Sequence, residues 1–218
     1  MTKGTAYITA TSAVGPQGLF RNGQPWGQPA GPEVQGLLRA GYEQLGGAYP
    51  KFHKMDTLSK LGWLAAELLL AGGQLGARHA AQDVGIALAN CSSSLDTDLR
   101  YYNTVKDIAS PALFVYTLPN IVIGEICIRH GFKGENIFLV QPRFDTAAMA
   151  GYVQALFAGK VVTACICGWV EVMNDHFEAA LFLVEDRPTG SALPLSAHQL
   201  KKLYQLITNG NGATDSRS

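Results

Sequence analysis

Three short runs without a charged side chain constrain this chain most: Val84-Gly-Ile-Ala-Leu-Ala-Asn90, Ile137-Phe-Leu-Val140 and Val161 to Cys167. A strand with one wet face alternates apolar and polar residues; these runs do not alternate, so each reads as a strand covered on both sides. Helix signals separate them. Asn120 is placed to cap Ile121 to Arg129, which stops at His130-Gly131, and Asp145 is placed to cap a helix ending at Gly159. Buried strands alternating with helices predict an α/β fold: a mixed, mostly parallel five-stranded sheet with helices on both faces and right-handed crossovers. After the turn at Met173-Asn-Asp-His176, the run Phe177 to Val184 returns against Val161 to Cys167 as a hairpin, which makes the last strand antiparallel.

The flanks are read in the same way. Ala6 to Ser12 leans toward strand, whereas 13–32 holds five glycines and four prolines and reads as a long loop of the kind used in binding or assembly. Glu33 to Leu45 forms a short helix. Asp56 caps a second, with Leu58, Leu61, Leu64, Ala65, Leu68 and Leu69 at helical spacing, Lys60 and Glu67 on the other face, and Gly72-Gly73 as the stop. Ser196 caps a terminal helix with Leu200, Leu203, Leu206 and Ile207 on one face. Residues 1–208 then make one domain, and 209–218 a disordered tail.

Composition excludes some classes of function. Seventeen basic side chains balance seventeen acidic ones. Such a chain exerts no long-range attraction on phosphate backbones or anionic lipid, so neither nucleic acid nor a membrane surface is expected as a partner. The longest apolar stretch, Leu61 to Ala71, is interrupted by Glu67 and is too short to span a bilayer. The first residues lack the apolar segment of a secretory signal. The four cysteines, Cys91, Cys127, Cys165 and Cys167, are too few for a disulfide scaffold, and a reduced, cytoplasmic protein is expected.

A search for chemistry returns little. Gly159-Lys160 is followed by Val161 instead of Ser or Thr, and no Gly-x-Ser-x-Gly elbow occurs. His53, His79, His130, His176 and His198 are scattered, and no cysteine pair has Cys-x-x-Cys spacing, so neither a metal nor a cofactor is expected. Cys165 and Cys167 share one strand face and read as core. His130 suits the carbonyl end of a helix.

One string stands apart. Cys91-Ser92-Ser93-Ser94-Leu95 is identical to the short nucleophile signature of the β-ketoacyl synthases, and the middle of the sequence resembles that thiolase-like family. The order of the other landmarks assigns the register. Ser110-Pro111, Pro119-Asn120, the helix to Arg129, Gly131-Phe-Lys-Gly134, the strand Ile137–Val140, the helix to Gly159 and Gly168-Trp-Val-Glu171 follow the order of the first half of a synthase. Cys91 precedes all of them. In the family's spacing, the nucleophile falls on Arg143 and the closing glutamate on Glu171.

The resemblance spans roughly residues 5–186 and implies one thiolase-like half-fold, without the second half that supplies the decarboxylating histidines. A guanidinium cannot accept an acyl group, so it also implies a degenerate nucleophile position at Arg143, with Asp145 as a candidate partner for the cation. Cys91 reads as a strand-end cysteine before a serine-rich turn, with Asp96 or Asp98 capping the next helix. Family members pair through the strand that precedes the nucleophile. The resemblance therefore implies a chain-length-factor-like partner of a full-length ketosynthase in type II fatty acid, polyketide or aryl-polyene pigment biosynthesis, or a homodimer, with acyl carrier protein as a further possible partner. Interface or tunnel residues would be Ile137, Leu139, Phe144, Phe114 and Tyr116, beside Arg143. The alternative is an active acyltransferase with Cys91 as nucleophile and His130 or His176 as base.

Overall fold

The computed structural model describes residues 5–28, 31, 33–73 and 75–208, so the tail expected at 209–218 lies outside the described residues. The strands are β1 (Tyr7–Gly15), β2 (Gly18–Arg21), β3 (Gln24–Pro25), β4 (Val84–Asn90), β5 (Asn136–Val140), β6 (Ala164–Met173), β7 (His176–Glu185) and β8 (Leu193–Pro194). The helices are α1 (Val34–Gln44), α2 (Thr57–Leu70), α3 (Leu75–Arg78), α4 (Leu95–Val105), α5 (Pro111–Phe114), α6 (Ile121–His130), α7 (Thr146–Ala158) and α8 (Ala197–Thr208). All the strands join one sheet in the order β3-β2-β1-β7-β6-β4-β5, with β8 also on β1.

Its five long strands have the expected directions. β4 pairs in parallel with β5 and β6, β6 is antiparallel to β7, and β7 is antiparallel to β1. Hence β1, β4, β5 and β6 run one way and β7 runs back. Side chains alternate between two cores. Ala164, Ile166, Val170 and Val172 of β6 face α1, α2 and α6, whereas Cys165, Cys167 and Trp169 face α7 and α8. Burial pushes the Cys165 thiol up to about 12 and that of Cys167 well above its ordinary range, so both behave as small apolar core residues.

The structure departs from the sequence reading in six places. β5, expected to be covered on both sides, is the edge strand, half-buried over Ile137 to Leu139 and exposed at Asn136 and Val140. Over 13–25 the expected loop is instead a strand meander: β1 runs through Gly15, β2 pairs with it, and β3 pairs with β2. Left-handed turns at Gly18, Asn22 and Gly23 account for the glycine content that looked like loop. The strand expected over Val161 to Cys167 instead begins at Ala164 and runs to Met173. The Asn120 side chain makes no capping hydrogen bond. Asp96 and Asp98 lie in the first turn of α4 and do not cap it, because the helix begins at Leu95; Asp96 instead accepts from the Asn174 amide. Finally, Asp145 serves as a cap only, as described below.

Other caps are as expected. Asp56 accepts from Ser59 N at 2.9 Å and, through its second oxygen, from Thr97 Oγ1 at 2.6 Å, which ties the start of α2 to α4. Asp56→Ala removes a helix cap and leaves a buried hydroxyl unpaired. It is expected to destabilise the fold by about 2 kcal/mol, read as a lower urea midpoint at unchanged slope; an unchanged midpoint would mean that the tie carries no load.

Candidate functional site

The carboxyl ends of parallel strands are where α/β sheets present their chemistry. At that end, β4, β5 and β6 open onto a hollow of about 710 Å³. The turn after β4 brings Cys91 and Ser92, the β5–α7 elbow brings Pro142 to Asp145, and β6 brings Trp169 and Glu171. His176 and Glu178 of β7 and Lys201 and Tyr204 of α8 complete the walls.

Arg143 stands at the tip of α7, exposed, at the position where the resemblance puts a nucleophile. Its expected partner is engaged elsewhere: Asp145 Oδ1 accepts from Ala147 N and Ala148 N, both at 3.0 Å, and Arg143 makes no ion pair among the described residues. A carboxylate that caps the first turn of a helix is aimed along the helix axis and away from the preceding arginine. Phe144 turns inward beneath it. Its ring lies 5.1 Å from that of Tyr204, 6.0 Å from Trp169 and 6.2 Å from Phe182, which closes the hollow's floor with aromatic rings.

Cys91 lies in the same hollow, exposed, one residue beyond β4. The turn that carries it is held by Asn90, which accepts from Ser93 N at 2.9 Å and donates to Ser93 O at 2.7 Å, with Ser93 in the left-handed region at φ 53°. The amides of Cys91 and Ser92 both donate to Glu171 Oε2, at 2.6 and 3.2 Å. Two adjacent amides beside a thiol are what an acyl-transfer oxyanion would need. Here a buried carboxylate of the same chain holds both, so an acyl-transfer intermediate at Cys91 would find them already engaged.

Of the two proposed bases, His176 lines the hollow, whereas His130 does not; its Nε2 is 2.8 Å from Glu67 Oε1 at the end of α6. The remaining interface residues divide. Ile137 and Leu139 are half-buried on the α7 side of β5, and Val140 is the exposed apolar residue of that strand. Phe114 is exposed in α5. Tyr116 is buried and donates to Glu125 Oε1 at 3.1 Å; its hydroxyl needed a partner and found one inside. Glu178, Lys201 and Tyr204 were missed. Glu178 was legible, since a two-residue turn at Asn174-Asp175 sets Glu171 opposite Glu178. Lys201 and Tyr204 arrive only through the packing of α8. Burial and the hydrogen bond to Glu178 push the Tyr204 phenol well up, so it acts as a donor tying α8 to the hairpin. Among the described residues, no group of three or more His, Cys, Asp or Glu side chains is placed to hold a metal ion, and no helix is long and apolar enough to cross a membrane.

No family model matches the sequence, and no curated protein matches it. Solved structures do match the fold. The ishigamide ketosynthase/chain length factor is similar with a TM-score of 0.64 at 20% identity, over 88% of this chain and 64% of that one. The type II polyketide synthase ketosynthase–acyl-carrier protein complex AntDE:AntF is similar with a TM-score of 0.58 at 16% identity, over 84% of this chain and 62% of that one. The chain thus spans less than two thirds of these two proteins. The complex of the ketosynthase ApeO with its chain length factor ApeC from Xenorhabdus doucetiae is similar with a TM-score of 0.54 at 14% identity, over 94% of this chain and 92% of that one. The half-sheet, its two helical layers and these likenesses together establish the thiolase-like fold of ketosynthases and chain length factors.

Proposed function

We infer that this chain is a catalytically inactive, chain-length-factor-like subunit that pairs with a full-length ketosynthase in bacterial type II fatty acid, polyketide or aryl-polyene pigment biosynthesis. The observation that carries the reading is Arg143 at the β5–α7 elbow: a permanent cation, without a nucleophilic atom, at the tip of the helix that would have to activate one. Two surface features support a protein partner. Among the described residues β5 ends the sheet and pairs only with β4, which leaves one edge of an apolar strand open there. Of the thirteen exposed large apolar side chains among the described residues, eight fall within 95–118, on and just after α4 and α5. Leu95, Leu99 and Tyr102 lie along one face of α4. Apolar clustering of this kind marks an interaction surface.

Co-expression with a full-length ketosynthase tests the reading. A stable complex is expected, and Val140→Arg combined with Leu99→Asp weakens it at least tenfold with no change in the unfolding midpoint, since both side chains are exposed. Leu139 is the poorer choice for a charge because it packs against the core. Failure to associate, with native mass spectrometry giving only self-dimers or monomers, overturns the partner reading. The acyltransferase alternative is tested in parallel with acyl-carrier and coenzyme A thioesters. No adduct is expected at Cys91; a mass increase abolished by Cys91→Ala would establish that alternative instead.

A further inference from the structure

A second hollow, of about 600 Å³, lies at the far side of the sheet from β5, between α8 and the outer edge of β1. It exists because two strands share that edge without meeting. β8 pairs with Tyr7 and Ile8, β2 pairs with Ser12 to Gly15, and the stretch 9–11 between them is left as a floor. Asn22 closes one end by exchanging hydrogen bonds with the Thr11 backbone, at 2.8 and 2.9 Å. The walls are branched aliphatics: Ile8, Leu193 of β8, and Leu203, Leu206 and Ile207 of α8. Along the rim, Thr189 and Ser191 present hydroxyls that make no hydrogen bond among the described residues. Neither an ionisable nor an aromatic side chain lines the site.

These features select a ligand class. The volume falls in the range of about 300–1,000 Å³ typical of small-molecule sites, and aliphatic walls with a few neutral hydroxyls are the usual composition of such a site. Walls without aromatic rings offer no stacking surface for a planar ligand and suit a flexible aliphatic chain. Without a charged group, the site offers an ionised head no counter-charge, whereas the exposed rim hydroxyls of Thr189 and Ser191 offer a neutral head hydrogen bonds. We propose that this groove is a binding site for an uncharged amphiphile, an unbranched alkyl chain lying against Leu203, Leu206 and Leu193 with a hydroxylic head at Thr189 and Ser191. The site is separate from the elbow hollow and from the β5 edge, so it stands or falls independently of the partner reading.

Isothermal titration of the full chain with 1,2-decanediol, decanoate and decylammonium tests it. Saturable one-to-one binding of the diol is expected, with both charged chains at least tenfold weaker. Leu206 is 48% exposed and Leu193 36%, so each can be replaced by Asp without opening the core. Leu206→Asp should weaken the diol at least tenfold, and Leu193→Asp, on a different element, repeats the test should the first variant unfold. Absence of saturation, equal affinity for the three head groups, or wild-type affinity in a folded variant each overturns the site.

Discussion

Gly168→Ala is expected to destabilise the protein by about 3 kcal/mol or more, the sum of an overpacking penalty and a backbone one. Gly168 sits in the middle of β6, paired on one side with Leu88 of β4 and on the other with Leu181 of β7. Its φ is 153°, outside the range in which side-chain-bearing residues are at ease, and a Cβ there would lie 2.1 Å from Ala180 O and 3.0 Å from Leu181 Cα. Both obstacles are backbone atoms of the neighbouring strand, so no rotamer change relieves them. Against the roughly 5–15 kcal/mol of a typical domain, the loss would be a large fraction. Urea denaturation measures it; a shift of the midpoint worth less than about 1 kcal/mol would show that β6 and β7 can part locally at small cost.

The same residue belongs to a spacing that the fold itself uses. Three positions after Gly168, Glu171 reaches the α7 side of the sheet and holds the amides of Cys91 and Ser92. Gly168 sets the approach of β6 to β7, and Glu171 fixes the turn after β4. Neither task needs a nucleophile at position 143. Strand geometry and turn closure are thus retained in a chain whose elbow carries a guanidinium.

How far the sequence was readable follows from which interactions are local. The strands β4, β5 and β6, the Asp56 and Asp145 caps and the β6–β7 hairpin rest on neighbours within a few residues, and each is present in the structure, although β5 lies at the sheet edge and is half-buried where full burial was expected. The β1–β2–β3 meander was unreadable because its glycines serve left-handed turns that composition alone cannot tell from loop. At the elbow hollow, the position of Arg143 was legible, but its relation to Asp145 was not. A capping carboxylate and an ion-pair carboxylate look alike in sequence, and only the helix direction separates them. The approach of Lys201 and Tyr204 depends on α8 folding back over α7, a contact with no local signature.

At the opposite end of the sheet, Glu185→Ala is expected to destabilise the fold by about 3–5 kcal/mol, the range for breaking a buried ion pair from one side. Glu185 is 2% exposed at the end of β7. Its Oε1 accepts from Arg78 Nη2 at 2.9 Å and lies 2.9 Å from His79 Nε2, and its Oε2 accepts from Thr9 Oγ1 at 2.5 Å. His79 Nδ1 in turn is 2.8 Å from Thr163 Oγ1, so one carboxylate ties β1, α3 and the segment before β6. Burial alone would raise the Glu185 carboxyl, but the hydrogen bonds from Thr9, His79 and Arg78 and the Arg78 charge outweigh it and hold the group below its usual range. The sign follows from that depression. The unfolded chain takes up this proton at a higher pH than the folded one, so the stabilisation is fully present above the ordinary glutamate range, near pH 4.3, and is lost as pH falls through the lower folded value. Other carboxylates titrate in the same window, so the test is a difference. The gap in urea midpoint between the wild type and Glu185→Gln should be wide at pH 7 and should narrow below about pH 4 as the wild-type carboxylate is protonated. A gap that stays constant to pH 3 would assign the network's stability to hydrogen-bond geometry alone, with no contribution from its charge.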